Sequence, residues 1–238
     1  MHARGLALLG GSFNPPHIGH LRLAIELSEC LGTFVDRVLL VPSAYPPHKQ
    51  GSAMLPFSLR CDMLEESVAS LERIEVSRVE GERRTLSYTW DTLRLFRSFC
   101  PGTELYFVLG SDDYEQLPDW YKGLELPRIT NFIVVPRGTF GIDSFARLTS
   151  RLWPAAKRST SRSFSCLDAG VQDVEGMAFD LPGGGRVLFF PLSYLAISAT
   201  EIRGRWRQGR DLKYLVPEGV LGALQKNHAL VAEAWGTL

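Results

Sequence analysis

Residues 6–21 restrict what this chain can fold into more than any other stretch. Leu6-Ala7-Leu8-Leu9 is a continuous apolar run, Gly10-Gly11-Ser12-Phe13-Asn14-Pro15-Pro16 follows it, and His17-Ile18-Gly19-His20 opens an apolar pattern of helical period. A short apolar run bounded by glycine suits a central parallel strand buried on both faces. Glycines between a strand and a helix let the backbone approach an anion, and the free N–H groups at a helix start favour negative charge there. The stretch therefore reads as a phosphate site. It contains neither G-x-G-x-x-G nor G-x-x-x-x-G-K-[ST], so no dinucleotide or P-loop fingerprint explains it.

The remaining chain alternates strand and helix patterns. Helices are expected over 19–30 and 57–71 and from residue 89. Strands are expected over 38–41, 74–76, 104–109, 132–135 and 187–190, with Gly110-Ser111-Asp112 closing the third in a glycine turn. Asp119-Trp120-Tyr121 is expected to open a short helical segment, and the chain should be helical from Ile197 to its end. This alternation predicts an α/β fold: a Rossmann-like, doubly wound, mostly parallel sheet with helices on both faces and a C-terminal helical segment at 198–238. We expect one domain over 1–238. Between 138 and 186 the pattern weakens, and an inserted, partly mobile segment is expected there. In such a sheet, ligands lie beyond the carboxyl ends of the strands, so residues 10–20, 110–112, Arg137 and 198–203 should share one rim.

Composition narrows the partners. Lys+Arg and Asp+Glu are equal at 26 each, so nothing suggests the broad basic surface that nucleic-acid binders use. A small anionic ligand held by local cations fits better. Cys30, Cys61, Cys100 and Cys166 are scattered without metal spacing and are read as reduced thiols. No apolar run approaches the roughly 18 residues that cross a bilayer. A cytoplasmic protein without membrane or nucleic-acid partners is expected.

His17 and His20, spaced i, i+3 beside the turn, are read as donors to phosphate oxygens against the plainer reading as structural histidines. Zinc lacks a third ligand. Ser198-Ala199-Thr200-Glu201 is a capping box and equally a phosphate cradle, with Arg203 one turn further on.

Gly10-Gly11-Ser12-Phe13-Asn14-Pro15 with His17-Ile18-Gly19-His20, paired with Ile197-Ser198-Ala199-Thr200-Glu201-Ile202-Arg203, resembles the nucleotidyltransferase superfamily of the H-x-G-H and I-S-x-T-x-x-R motifs. Within it the chain is similar to the bacterial nicotinate-nucleotide adenylyltransferases, through Pro46-Pro47-His48-Lys49, Ser87-Tyr88-Thr89, Gly110-Ser111-Asp112, Trp120-Tyr121 and Leu215-Val216-Pro217-Glu218. It departs from them in Ser12, in Asn14 where Asp is commoner, and in Arg137-Gly138, which lacks a following proline.

The resemblance implies joining of the AMP moiety of ATP to nicotinate mononucleotide, giving nicotinate adenine dinucleotide and pyrophosphate in NAD biosynthesis. It implies that His17, His20 and Arg203 are catalytic. ATP would be bound by Gly10, Gly11, Ser12, Phe13, His17, His20, Ile197, Ser198, Thr200, Arg203 and Arg137. Substrate would be bound by His48, Lys49, Thr89, Gly110, Asp112, Trp120 and Tyr121, against plainer readings of Thr89 as a helix cap, Asp112 as a turn residue and Trp120 as a core aromatic. Mg2+ would arrive on the ATP phosphates, with no protein metal ligands. Nicotinamide mononucleotide or phosphopantetheine as acceptor, a non-catalytic nucleotide-binding module, and a class I aminoacyl-tRNA synthetase fragment are the alternatives. The oligomeric state is left open, a homo-oligomer included.

Overall fold

A computed structural model describes residues 5–32, 34–47, 54–83, 85–159, 176–193 and 195–236. Eight strands form one sheet: β1 (Gly5–Gly11), β2 (Val35–Pro42), β3 (Ile74–Val76), β4 (Leu105–Gly110), β5 (Asn131–Val135), β6 (Lys157–Arg158), β7 (Met177–Asp180) and β8 (Arg186–Phe189). Their order is β3-β2-β1-β4-β5-β8-β7-β6. Pairings β1·β4, β4·β5 and β5·β8 are parallel, and the last two strands add on antiparallel. The helices are α1 (Ile18–Cys30), α2 (Phe57–Val68), α3 (Thr89–Phe99), α4 (Ser111–Glu115), α5 (Ile142–Leu152), α6 (Ala199–Arg207), α7 (Glu218–Lys226) and α8 (His228–Trp235). The expected α/β architecture is present.

The chain divides into two compact units: residues 1–9, 26–38 and 88–194, and residues 10–25, 39–87 and 195–238. In the first, parallel registry sets Leu8 against Phe107 and Ile133 against both Val108 and Leu188. All five are buried, because a central parallel strand is covered on both faces. In the second, Leu55 and Met63 pack with Ile202, Leu212, Val216, Val220, Leu224, Val231 and Trp235, so the C-terminal helices bury their apolar stripes beside α2.

Several local expectations are corrected. Strand β1 runs through Gly10 and Gly11, and neither glycine uses left-handed backbone; Phe13 does, with φ 44°. The Asn14–Pro15 bond is cis. No glycine turn closes β4 either, since Gly110 has φ −66° and leads straight into α4. Asp119 ends a short 3-10 helix (Leu117–Asp119) instead of opening one; a second runs Gly123–Arg128. Between them Lys122 is left-handed at φ 54°, and a Cβ on Gly123 would lie 1.9 Å from the Leu117 carbonyl, so only glycine fits there.

Within 138–186 the described residues form α5, β6 and β7. Phe145, Leu148 and Thr149 give α5 its buried face, and Thr149 meets the Tyr114 hydroxyl at 2.8 Å. The C-terminal run is three helices, interrupted at residues 208–217 by left-handed Gly209 and ended by Pro217 at the start of α7. Cys61 and Cys100 are free thiols, as expected, whereas Cys30 is disulfide-bonded, against the expectation.

Candidate active site

In the unit containing residues 10–25, the turn after β1 is tied at several points. The buried Asn14 side chain accepts from the Leu55 N–H at 3.1 Å, and its carbonyl accepts from Arg203 Nη1 at 2.8 Å. Arg203 Nη2 reaches the Thr200 hydroxyl at 3.1 Å. Burial and then the nearby Arg207 charge lower the Arg203 pKa, yet an arginine remains a cation at neutral pH. The sequence-separated motifs at 10–20 and 197–203 therefore meet through Asn14, Thr200 and Arg203.

His17 and His20 stack with ring centroids 3.6 Å apart and planes 26° apart, and Phe13 packs edge-on to His20 at 4.8 Å. The His17 main-chain N–H donates to His20 Nδ1 at 3.2 Å. With Nδ1 accepting, the ring proton of neutral His20 is on Nε2. Gly19 leaves room for this pair: a Cβ there would press on the His17 ring at 3.1 Å.

Ser198 is the N-cap of α6, its Oγ accepting from the Glu201 N–H at 3.1 Å. The capping reading is realised; the Glu201 carboxylate pairs with Arg205 at 2.9 Å instead of closing the box. A capping oxygen still carries a hydroxyl proton to donate. Ile197 packs against the apolar cluster of the C-terminal helices. Among the described residues, no group of three or more His, Cys, Asp or Glu is placed to hold a metal ion. His48 and Lys49 lie outside the described residues. The loop leading to them is fixed at Tyr45, which exchanges two 2.9 Å hydrogen bonds with Ser87.

In the other unit, Gly110, Asp112 and Arg137 come together. The Arg137 guanidinium lies over Gly110, where a Cβ would be 2.7 Å from its Nε, and Nη1 is 3.7 Å from the Asp112 carboxylate. The Arg137 main-chain N–H donates to Ser111 Oγ at 3.0 Å, which fixes the residue after β5 beside the start of α4. Both charged side chains are about half exposed, so the pair is weak and open to a ligand.

Thr89 is the first residue of α3, with Tyr88 in the cap position, so its hydroxyl is not the cap. Tyr88 packs on Tyr121 at 4.9 Å, and Lys122 Nζ sits over the Trp90 ring at 4.8 Å and the Tyr121 ring at 5.4 Å. Trp120 is half-buried, edge-on to Phe107 at 6.3 Å.

Sequence reasoning passed over Arg60, Gly19, Lys122 and the anchoring part of Asn14. Arg60 left a signal, since it falls on the apolar stripe with Phe57, Leu64 and Val68. Gly19 stands in the H-x-G-H motif, although its role in spacing the histidine rings is not local; Lys122 left no signal.

The sequence model of the cytidylyltransferase-like family matches residues 8–205. The chain is 38% identical over 216 residues to a protein of Pelobacter propionicus named probable nicotinate-nucleotide adenylyltransferase, covering 90% of this chain and 93% of that one. A Geobacter sulfurreducens protein of the same name is 35% identical over 220 residues, covering 90% and 92%. Among solved structures, the Plasmodium falciparum nicotinic acid mononucleotide adenylyltransferase complexed with NaAD superposes with a TM-score of 0.70 at 18% identity, over 95% of this chain and 97% of that chain. At that identity the likeness speaks for the fold alone.

Proposed function

The chain belongs to the cytidylyltransferase-like family and, within it, to the nicotinate-nucleotide adenylyltransferases of NAD biosynthesis, and from that premise we propose how its residues divide the work. The reaction joins the AMP moiety of ATP to nicotinate mononucleotide and releases pyrophosphate. The attacking 5′-phosphate is nearly dianionic at neutral pH, its second pKa being about 6. No general base is required. The protein has to position two polyanions and neutralise the charge that develops on the α-phosphate and the leaving pyrophosphate.

Gly10, Gly11, Ser12 and Phe13 hold the triphosphate through the turn, joined by Ser198, Thr200 and Arg203; Ile197 sets the entry to α6. His17 and His20 donate to phosphate oxygens, and Nε2–H of His20 stabilises the transition state. The observation that carries this reading is the bond from Arg203 to the Asn14 carbonyl, which joins the two motifs into one donor set. That set is made of N–H and O–H donors and supplies no carboxylate, so it fits magnesium that enters on the ATP phosphates. Bound there, Mg2+ offsets phosphate charge.

For the acceptor, Trp120 stacks on the pyridinium ring, the Thr89 hydroxyl and the main-chain N–H near Tyr121 hold the nicotinate carboxylate, and Gly110 and Asp112 meet a ribose. Arg137, beside Asp112, and Lys49 add cations for the triphosphate, and His48 joins the substrate-binding residues. The partners proposed are small molecules, not nucleic acid, in keeping with a formal charge of zero. Among the described residues no helix is long and apolar enough to cross a membrane, and we assign the protein to the cytoplasm, where ATP is made available.

The test is pyrophosphate release from MgATP with nicotinate mononucleotide, nicotinamide mononucleotide and phosphopantetheine in turn. Turnover should be fastest with the acid, because donors arranged for a carboxylate meet an NH2 group in the amide. Equal turnover with the amide would refute the acceptor assignment.

A further inference from the structure

Arg60, in the first turn of α2, is 1% exposed. Its guanidinium reaches three main-chain carbonyls: Nε donates to Leu55 at 3.0 Å, Nη1 to Ser12 at 2.6 Å and Nη2 to Ser43 at 2.8 Å. Removing this cation from water is costly, and the cost shows as a pKa brought down by burial to about 10, with Glu80 acting as a more distant counter-charge. An apolar side chain would fill the same stripe without that cost.

The carbonyls differ in what lies behind them. In a trans peptide the C=O and the following N–H point opposite ways, so a held carbonyl also aims an N–H. After Leu55 comes Pro56, which has no N–H. After Ser43, the Ala44 N–H goes to the Glu80 carboxylate at 3.3 Å. After Ser12, the N–H belongs to Phe13, a buried residue in left-handed backbone, and that N–H donates to none of the described residues. Buried main-chain donors are nearly always paired, so one held away from protein acceptors is placed for a ligand.

We propose that Arg60 is a positioning residue for adenylyl transfer: by holding the Ser12 carbonyl it turns the Ser12–Phe13 peptide so that the Phe13 N–H is offered to a triphosphate oxygen, and its charge polarises that peptide. The inference rests on the reading of residues 10–13 as the triphosphate side. Charge-assisted bonds to a carbonyl are short and strong, as the Ser12 contact is, and polarisation along a hydrogen-bonded chain strengthens the donor at its far end.

The first test uses the unaltered protein. With phenylalanine labelled by 15N, the Phe13 amide resonance should move downfield when MgATP binds and stay in place with nicotinate mononucleotide alone. Bound MgATP that leaves it unmoved overturns the inference while leaving the functional reading intact; failure to bind MgATP overturns both. The second test compares Arg60→Lys and Arg60→Ala below their melting temperatures. One ammonium cannot span three carbonyls, so both should raise KM for MgATP by about tenfold or more and leave KM for the acceptor within about twofold. Guanidinium ion added to Arg60→Ala should lower KM for MgATP again, where sodium ion does not. KM values that rise together, or an unchanged KM for MgATP in the folded lysine variant, contradict the proposal.

Discussion

In the turn before α1, Asn14 and His17 are buried, and main-chain groups at Ser12, Asn14, His17 and Ser43 bond to Arg60, Arg203 or His20. In the segment over residues 110–122 of the other unit, Asp112, Tyr121 and Lys122 are exposed, and ring contacts and one loose ion pair hold them. The first region is made of backbone with its donors aimed in advance; the second is made of side chains on short helical turns. Charge that develops on phosphate is best met by groups that need not reorganise. Recognition of a flat ring and a ribose tolerates, and gains from, side chains that settle around the ligand. Damage to the first region should therefore fall on turnover and ATP, and damage to the second on acceptor choice.

The largest effect should come from His20→Ala. Loss of one preorganised donor typically costs on the order of 10²–10³ in kcat, while calorimetry should show MgATP binding little changed. Undiminished turnover would remove His20 from the chemistry. Gly19→Ala should come next, because its Cβ would press on the His17 ring at 3.1 Å and shift the stacked pair. A fall in kcat of about tenfold with a normal melting temperature is expected, the displacement being small but at the reacting groups.

Ser198→Ala removes the bond to the Glu201 N–H and should cost about 0.5–2 kcal/mol of stability, seen as a lowered unfolding midpoint. The smallest effect concerns reagents instead of substrates. Burial pushes the Cys61 thiol up to about 11, so at pH 8 it is almost wholly protonated and unreactive. Iodoacetamide followed by peptide mass spectrometry should mark the half-exposed Cys100 well before Cys61; the reverse order would show that α2 opens readily.

How much of this was legible in sequence follows the same division. Strand β1, helix α1 and the parallel alternation could be read because period and glycine punctuation are local properties. Both ends of the Asn14–Arg203 bond lay in recognisable motifs, but the bond itself joins residues far apart in the chain, and nothing local encodes it. Arg60 drew no reading from the sequence because a guanidinium is seldom buried without a carboxylate, and only its place on an apolar stripe marks it. Helix α5 carried Phe145 and Leu148 at helical spacing, hidden by the polar run that follows. The turn at Trp120-Tyr121 was misread for a different reason: Pro118 and left-handed Lys122 break a helix that composition alone would continue.

The comparison between the two regions is tested most directly by measuring KM for MgATP and for nicotinate mononucleotide side by side in Arg203→Ala and Trp120→Ala. Loss of the Arg203 charge-assisted contacts should raise KM for MgATP by about tenfold or more and spare the acceptor. Loss of the Trp120 face, a cation–π contact of about 0.5–2 kcal/mol, should raise KM for the acceptor by about two- to thirtyfold and spare MgATP. A crossed pattern of that kind is the predicted result. Variants that each raise both KM values alike would contradict the division of labour.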